Sequence, residues 1–339
     1  MKKIIISTDT WRPNFDGVIR HIEELSLRLE SKGFEVVILH PRLFFSIPVI
    51  FYPEYSITFF AKSKIKKIIK TEKPDYIHIA TWGPLGLSAR RACLDQKNKF
   101  TTAYPTHFPE YAKIYILKSK FLFDLIYAYL RWFHNAGNRT MVSTESLKKE
   151  ADEYGFKNVV VSPLGVDVDF FKENASVSKE HDGFKHPIFA YLGRLAKEKN
   201  VEEFLECVLP GTKLIIGDGP IRPDLEKKYC KNTFFAGKKM GKELVDLLSV
   251  CDVLVFPSLT DTFGLAIVEA LACGIPVAAH NVIGPKDIIT NGVDGFLDEN
   301  IEEAAIKCLS ISREKCREKA LKFSWEKSAD YFIRNLVKT

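Results

Sequence analysis

No run of 18 or more apolar residues occurs in the 339-residue sequence, so no helix that crosses a membrane is expected. The start, Met1-Lys2-Lys3-Ile4-Ile5-Ile6-Ser7, enters a strand directly and carries no leader cleavage pattern. A cytoplasmic protein is the expectation. The seven cysteines, at 93, 207, 230, 251, 273, 308 and 316, include no Cys-x-x-Cys pair, and an odd set in mostly apolar contexts reads as reduced structural thiols without a zinc site. No Gly-x-Gly-x-x-Gly follows the first strand of either half, and Gly217-Asp218-Gly219-Pro220 supplies only two glycines before a proline. A dinucleotide-dependent dehydrogenase is therefore disfavoured. No Asp-x-Asp pair closes a strand in the way that would hold a metal-bound diphosphate, which leaves cationic side chains and helix ends to neutralise phosphate charge.

Net charge is unevenly placed. Residues 1–162 hold 25 Lys and Arg against 16 Asp and Glu, a net of +9, whereas the remainder holds 24 against 27, a net of −3. A positive first half suits an anionic surface, either phospholipid headgroups or nucleic acid. No nucleic-acid module is recognisable, so nucleic acid is not expected as a partner. The run Leu43–Tyr52, with Phe44 and Phe45, is apolar and precedes Lys62, Lys64, Lys66, Lys67 and Lys70. Lys113, Lys118 and Lys120 alternate with Tyr115, Ile116, Leu117, Phe121 and Leu122. Aromatic and basic residues together are what an interfacial surface presents to anionic lipid; the alternative for Leu43–Tyr52 is a core strand and loop.

With 46% hydrophobic residues, the chain can bury two cores of ordinary size. Apolar, β-branched runs at Ile4–Ser7, Val36–Leu39, Tyr76–Ile79, Phe100–Ala103, Met141–Ser143 and Val159–Ser162 alternate with helical patterns at Val18–Lys32, Leu85–Gln96, Phe121–Asn135 and Glu145–Tyr154. Strands recur at Ile188–Leu192, Leu214–Gly217, Phe234–Gly237, Val253–Phe256, Val277–Ala279 and Phe296–Leu297. Strand and helix alternating twice predict an α/β protein with two doubly wound parallel sheets. The expected domains are 1–165 and 166–321, with the polar segment Phe171–His186 read as the linker and a C-terminal helix within 322–339 crossing back onto the first domain.

Chemistry concentrates between Ser258 and Val277. Seven residues separate Asp261 from Glu269, and the strand Asp252–Phe256 ends at Pro257-Ser258 just before them. A helix is expected to begin near Phe263-Gly264 and to stop at Gly274, the usual residue for a left-handed cap. Its free amides and its dipole then face the crevice at the carboxyl end of the strand, where an open α/β sheet binds anionic ligands. A diphosphate fits there. Glu269 lies about 7 Å along the axis from Gly264 at 1.5 Å per residue, roughly the span from a diphosphate to ribose hydroxyls, while Asp261 in the loop faces the sugar. A capped helix with a solvated glutamate is the plain alternative.

In order along the chain, these residues resemble the retaining glycosyltransferases of family 4. The likeness runs through Asp16-Gly17-Val18, Pro163–Phe171, Gly193-Arg194-Leu195-Ala196-Lys197-Glu198-Lys199-Asn200, Gly217–Pro220, Phe235-Ala236-Gly237 and the two spaced acids. It implies the GT-B fold, two Rossmann-like domains facing a central cleft, and a nucleotide-sugar substrate with no metal and no other cofactor. By the resemblance, Arg194 and Lys199 hold the donor diphosphate, Gly17 brings backbone close to phosphate or sugar, Glu269 binds ribose, and Phe263, Gly264 and Leu265 border the donor. Segments His78–Gly86, Phe108–Tyr111, His134–Thr140 and Thr260–Gly264 are similar to the bacterial branch that glycosylates lipids, related to sulfoquinovosyl-diacylglycerol and monoglycosyl-diacylglycerol synthases. That branch also includes mannosyltransferases.

Two departures stand out. The family's first acid is usually Glu, and here it is Asp261. The family's histidine beside the sugar aligns with Pro105, and His107 follows two residues later, a spacing that shares a face in an extended strand; His107 either enters the sugar site or has a structural or acceptor-contacting role. The expectation is a peripheral enzyme on the inner face of the cytoplasmic membrane that moves a hexose from UDP-glucose or UDP-glucuronate to diacylglycerol with retention. The alternatives are a GDP-mannose-dependent mannosyltransferase acting on a lipid or glycan, a GT-B epimerase, and a non-catalytic sugar-nucleotide-binding protein.

Overall fold

The computed structural model describes residues 1–12, 17–49, 52–115, 119–173 and 183–339. The chain divides into two units, one of Met1–Lys113, Leu117–Leu164 and Trp325–Thr339, the other of Gly165–Ser324 with Ile114–Ile116.

In the first unit, strands β1 (Lys2–Ser7), β2 (Phe34–Leu39), β5 (Tyr76–Ile79), β6 (Thr101–Ala103), β7 (Arg139–Val142) and β8 (Val159–Val161) pair in parallel in the order β2-β1-β5-β6-β7-β8. A separate antiparallel ribbon, β3 (Ser46–Val49) and β4 (Tyr52–Thr58), is inserted between β2 and β5. Helices α1 (Gly17–Ser31), α2 (Ala61–Glu72), α3 (Pro84–Asp95), α4 (Phe108–Tyr115), α5 (Lys120–His134) and α6 (Glu145–Glu153) make the crossovers. Apolar residues recur at helical spacing, as in Ala61, Ile65 and Ile69 of α2, which are buried as one stripe in the core. All four residues of β5 are buried, as cover on both faces of a parallel sheet requires.

The second unit repeats the plan. Strands β9 (Ile188–Leu192), β10 (Thr212–Ile216), β11 (Thr233–Gly237), β12 (Val253–Phe256), β13 (Val277–Ala279) and β14 (Gly295–Leu297) form an all-parallel sheet in the order β11-β10-β9-β12-β13-β14. Helices α7 (Val201–Glu206), α8 (Arg222–Lys228), α9 (Gly241–Val250), α10 (Leu265–Ala272), α11 (Pro285–Ile288), α12 (Ile301–Cys308) and α13 (Arg313–Ala320) surround it. Backbone meets backbone beside β9 and β10: a Cβ on Gly217, at φ +155°, would lie 1.8 Å from the Gly193 carbonyl oxygen. Only glycine permits that approach.

The last helix, α14 (Trp325–Asn335), completes the core of the first unit. Trp325, Ala329 and Phe332 are buried at spacings of four and three, and Ala329 and Phe332 join Ile22 and Leu25 of α1 in one cluster. The Ser328 hydroxyl donates to the Pro163 carbonyl at 2.7 Å, and the Asn335 amide donates to Val161 at 3.0 Å. The two large rings contribute on the order of 1.5–3 kcal/mol each by burial.

The division between units falls at Leu164/Gly165, ahead of the polar segment Phe171–His186 read as a linker. Phe171 is buried, and its carbonyl accepts from Arg317 of α13 at 2.6 Å. Residues 174–182 of that segment lie outside the described residues.

Candidate functional site

Each sheet reverses its strand order at one point, between β1 and β5 in the first unit and between β9 and β12 in the second. Connections leave such a pair in opposite directions, and the space at the strands' carboxyl ends is where open α/β sheets take ligands.

At the second unit's reversal, the loop after β9 carries Arg194 and Lys199 and the loop after β12 carries Asp261. The two loops are tied together. Lys199 Nζ donates to Asp261 Oδ1 at 2.6 Å, with both side chains only 19% exposed. The Asn200 amide donates to the Pro257 carbonyl at 3.3 Å, and Thr260 Oγ1 to the Glu198 carbonyl at 3.4 Å. Asp261 Oδ2 and Ser258 Oγ are buried with no hydrogen-bond partner among the described residues. An unpaired buried oxygen costs about 1–3 kcal/mol unless something supplies the missing bond, so both atoms have room to accept one more polar partner. Arg194 is exposed, and its carbonyl accepts from the Tyr191 hydroxyl at 2.7 Å.

Helix α10 starts in the same place. Gly264 takes the N-cap position at φ +97°, and no side chain caps the helix, so its first amides are open to an anion. Leu265 is half-buried in the first turn. Phe263 is buried against Phe323 at 5.8 Å between ring centres, which leaves its backbone as the part that can border a ligand. Glu269 is 4% exposed in the middle of α10. Gly274 ends the turn after the helix at φ +74°.

The first unit's reversal is built differently. Asp9, two residues past β1, sends Oδ1 to the Leu85 amide at 2.6 Å and Oδ2 to the Gly86 amide at 3.2 Å and the Thr81 hydroxyl at 2.7 Å. Burial pushes the Asp9 carboxyl up, and the bonds from Thr81 and the α3 amides oppose that rise. The N-terminus of α3 is thus filled by the chain's own carboxylate, whereas no side chain caps that of α10. Asp9 is marked in the sequence only as a carboxylate just beyond a buried strand.

His107 lies elsewhere in the first unit. Strand β6 ends at Ala103, so Pro105 and His107 do not share a strand face and that reason for equating them falls away. His107 is buried, with Nε2 2.6 Å from Glu150 Oε1, which also accepts from the Tyr127 hydroxyl at 2.8 Å. Burial pushes Glu150 up, but its bonds to His107 and Tyr127 outweigh this and hold the carboxyl below its ordinary value. Glu150 was likewise not singled out from sequence.

The surface candidates are partly engaged. Lys62 and Lys66 share Asp95 at 2.8 and 3.1 Å, and Lys64 donates to the Leu43 carbonyl at 2.5 Å while lying over the Phe44 ring. Phe44 packs on the core, whereas Phe45 and Lys120 are exposed. Gly17 is exposed as the first residue of α1; Asp16 before it and Lys118 lie outside the described residues. No group of three or more potential metal ligands occurs among the described residues. None of their helices is long and apolar enough to cross a membrane.

Comparison with known proteins places this arrangement in a family. Residues 15–170 match the model described as Glycosyltransferase Family 4, and residues 172–326 the model described as Glycosyl transferases group 1. The chain is 25% identical to the sulfoquinovosyl transferase SQD2 of Arabidopsis thaliana, over 96% of this chain and 69% of that one. It is 26% identical to a GDP-mannose-dependent alpha-mannosyltransferase of Corynebacterium glutamicum, over 87% of this chain and 76% of that one. Among solved structures, Anabaena HepE in complex with UDP has the same fold, with a TM-score of 0.71 at 16% identity over 98% of this chain and 99% of that one. With two family models spanning nearly the whole sequence and two parallel-sheet units beneath them, the chain belongs to the family 4, group 1 glycosyltransferases of GT-B fold.

Proposed function

We propose that this glycosyltransferase moves a hexose from a nucleotide sugar to a membrane lipid with retention of configuration, and that UDP-glucose or UDP-glucuronate is the donor and diacylglycerol the acceptor. The observation that carries the donor half is the open N-terminus of α10 beside the Lys199–Asp261 pair. As the sugar bond breaks, negative charge gathers on the departing diphosphate. Arg194, Lys199 and the α10 amides stabilise that charge without a metal, and such stabilisation acts mainly in the transition state. The free Asp261 Oδ2 accepts from a sugar hydroxyl, and Glu269 accepts from the ribose. With the leaving group held on one face, the acceptor hydroxyl attacks from that same face, which retains configuration.

Support for the lipid acceptor comes from the basic first half, the likeness to a sulfoquinovosyl transferase, and a 29% identity over 58% of this chain to a phosphatidylinositol dimannoside mannosyltransferase of Mycobacterium tuberculosis. Residence on the inner face of the cytoplasmic membrane is part of the same reading. A second reading, GDP-mannose as donor, is favoured by the mannosyltransferases among the relatives.

Labelled nucleotide sugars incubated with diacylglycerol-containing liposomes, then partitioned between lipid and water, test both halves. Label should enter the lipid phase from a UDP-hexose and should do so fully in excess EDTA. Transfer only from GDP-mannose would select the second reading, and strict dependence on added Mg²⁺ would end the metal-independent mechanism. Glu269→Gln should weaken nucleoside diphosphate binding by on the order of 1 kcal/mol or more, since a charge-assisted bond becomes neutral. Calorimetry measures this, and unchanged affinity would remove Glu269 from the donor site.

A further inference from the structure

Over residues 45–47 and 57–59 the β3–β4 ribbon of the first unit is inside out. Successive residues of a strand face opposite ways, and here the polar set faces the protein. Thr58 is buried, Ser46 is half-buried, and their hydroxyls meet at 2.9 Å, with Ser46 also donating to the Pro41 carbonyl. The opposite face carries Phe45, Ile47, Ile57 and Phe59, all exposed. Ile47 stands directly across from Ile57, and the Phe59 amide donates to the Phe45 carbonyl, so the four side chains form two adjacent cross-strand pairs. Phe60 follows at 90% exposure, held at φ +55° in front of α2. A phenylalanine this exposed and in the left-handed region projects from the surface, at a cost that a merely solvated loop has no reason to bear.

Among the described residues the patch has five apolar side chains, a small contact beside the roughly 20–30 residues a side of a stable interface with another protein or a second copy. Projecting rings also need a partner that yields around them. The neighbouring exposed cations are Arg42, Lys64 and Lys67. Rings flanked by cations fit the acyl–headgroup boundary of an anionic bilayer. The position fits too: α2 runs back along a parallel sheet, so its start lies at the strands' carboxyl edge, the edge that holds Asp9 and Thr81.

We propose that the outer face of the β3–β4 ribbon, with Phe60, is the element that enters the membrane surface, Phe45, Ile47, Ile57, Phe59 and Phe60 supplying the apolar contact and Arg42, Lys64 and Lys67 the attraction to anionic headgroups. This rests on the lipid-acceptor reading, for it puts the strand edge of the first unit against the bilayer in which a lipid hydroxyl is confined.

Co-sedimentation of the full chain with vesicles tests it without any turnover. The vesicles are phosphatidylcholine alone, or phosphatidylcholine mixed with an equal part of phosphatidylglycerol. Wild type should bind both, and the mixture better. Phe59→Ser/Phe60→Ser should lower binding to both by about tenfold or more, with an unchanged thermal transition because both rings are exposed. Phe59→Leu/Phe60→Leu should restore most of it. Lys64→Gln/Lys67→Gln should lower binding to the mixture alone, by roughly fivefold per charge, as should high salt. Binding by the serine variant equal to wild type, or no wild-type binding to either vesicle, overturns the proposal. So does a wild-type dimer, seen by sedimentation without vesicles, that the serine variant abolishes. Vesicle binding through the ribbon by a protein that glycosylates no lipid would leave this proposal standing and remove the acceptor reading.

Discussion

Replacing Lys199 by Ala should lower turnover by about a hundredfold or more, the loss seen when one electrostatic donor to a transition state is removed. Its ammonium lies 2.6 Å from Asp261 Oδ1 in a part-buried setting, so it is positioned before the reaction and spends nothing on reorganisation. Water replacing it would have to reorient as charge moves onto the diphosphate. The pair also makes the effects non-additive: Asp261→Asn should itself be slow, since a neutral amide no longer fixes Lys199, and the double variant should lose much less than the product of the two single losses. Turnover with the donor that labels lipid, measured for the four proteins, decides this. A fully additive cycle would mean that Lys199 and Asp261 act separately, and full activity of Lys199→Ala would take the cation out of catalysis. Arg194→Ala should cost a similar factor, although Arg194 is exposed and less constrained.

Mild acid should destabilise the first unit. His78 and His134 are both buried there, with Nδ1 at 2.9 Å from Thr101 and Thr102 hydroxyls respectively, and burial pushes each down to about 3. A folded value below the unfolded one, about 6.5, means that the unfolded chain binds protons first. The stability contributed is therefore complete above pH ~6.5 and is lost as pH falls toward the folded value. Between pH 6.5 and 5, above the range in which most carboxylates titrate, each histidine should cost about 2 kcal/mol at 1.36 kcal/mol per unit. Tryptophan fluorescence reports on this unit alone, because Trp11, Trp82, Trp132 and Trp325 all lie in it. Denaturant midpoints followed that way should fall across the interval. The combined variant His78→Asn/His134→Asn should reduce the slope, leaving the part due to His21, which burial pushes down to about 4. A midpoint that does not move between pH 6.5 and 5 would show that the two imidazoles can charge in place.

Local order was legible wherever it depended on near neighbours. The parallel strands announced themselves as short β-branched runs because both sheet faces are covered, and α10 could be bounded at Gly264 and Gly274 because each sits at positive φ, where a side chain would be strained. The spacing of Asp261 and Glu269, and the cations at 194 and 199, could be counted directly. The amphipathic spacing of α14 was equally visible, but that it packs against α1 depends on Ile22 and Leu25, some 300 residues earlier.

What only the tertiary structure decided turned on partners far apart in the chain. Asp9 is one carboxylate among many until Thr81 and the amides of Leu85 and Gly86, more than seventy residues on, are brought to it. His107 could be placed beside Pro105 only by assuming a strand, and β6 stops at Ala103. The run Leu43–Tyr52 reads identically as core or as surface, since periodicity gives which residues share a face and not which way that face points. The direction was set when Ser46 and Thr58 found each other and Pro41 on the inside, leaving Phe45 and Phe59 to the solvent; Ile50 and Phe51 of the run lie outside the described residues.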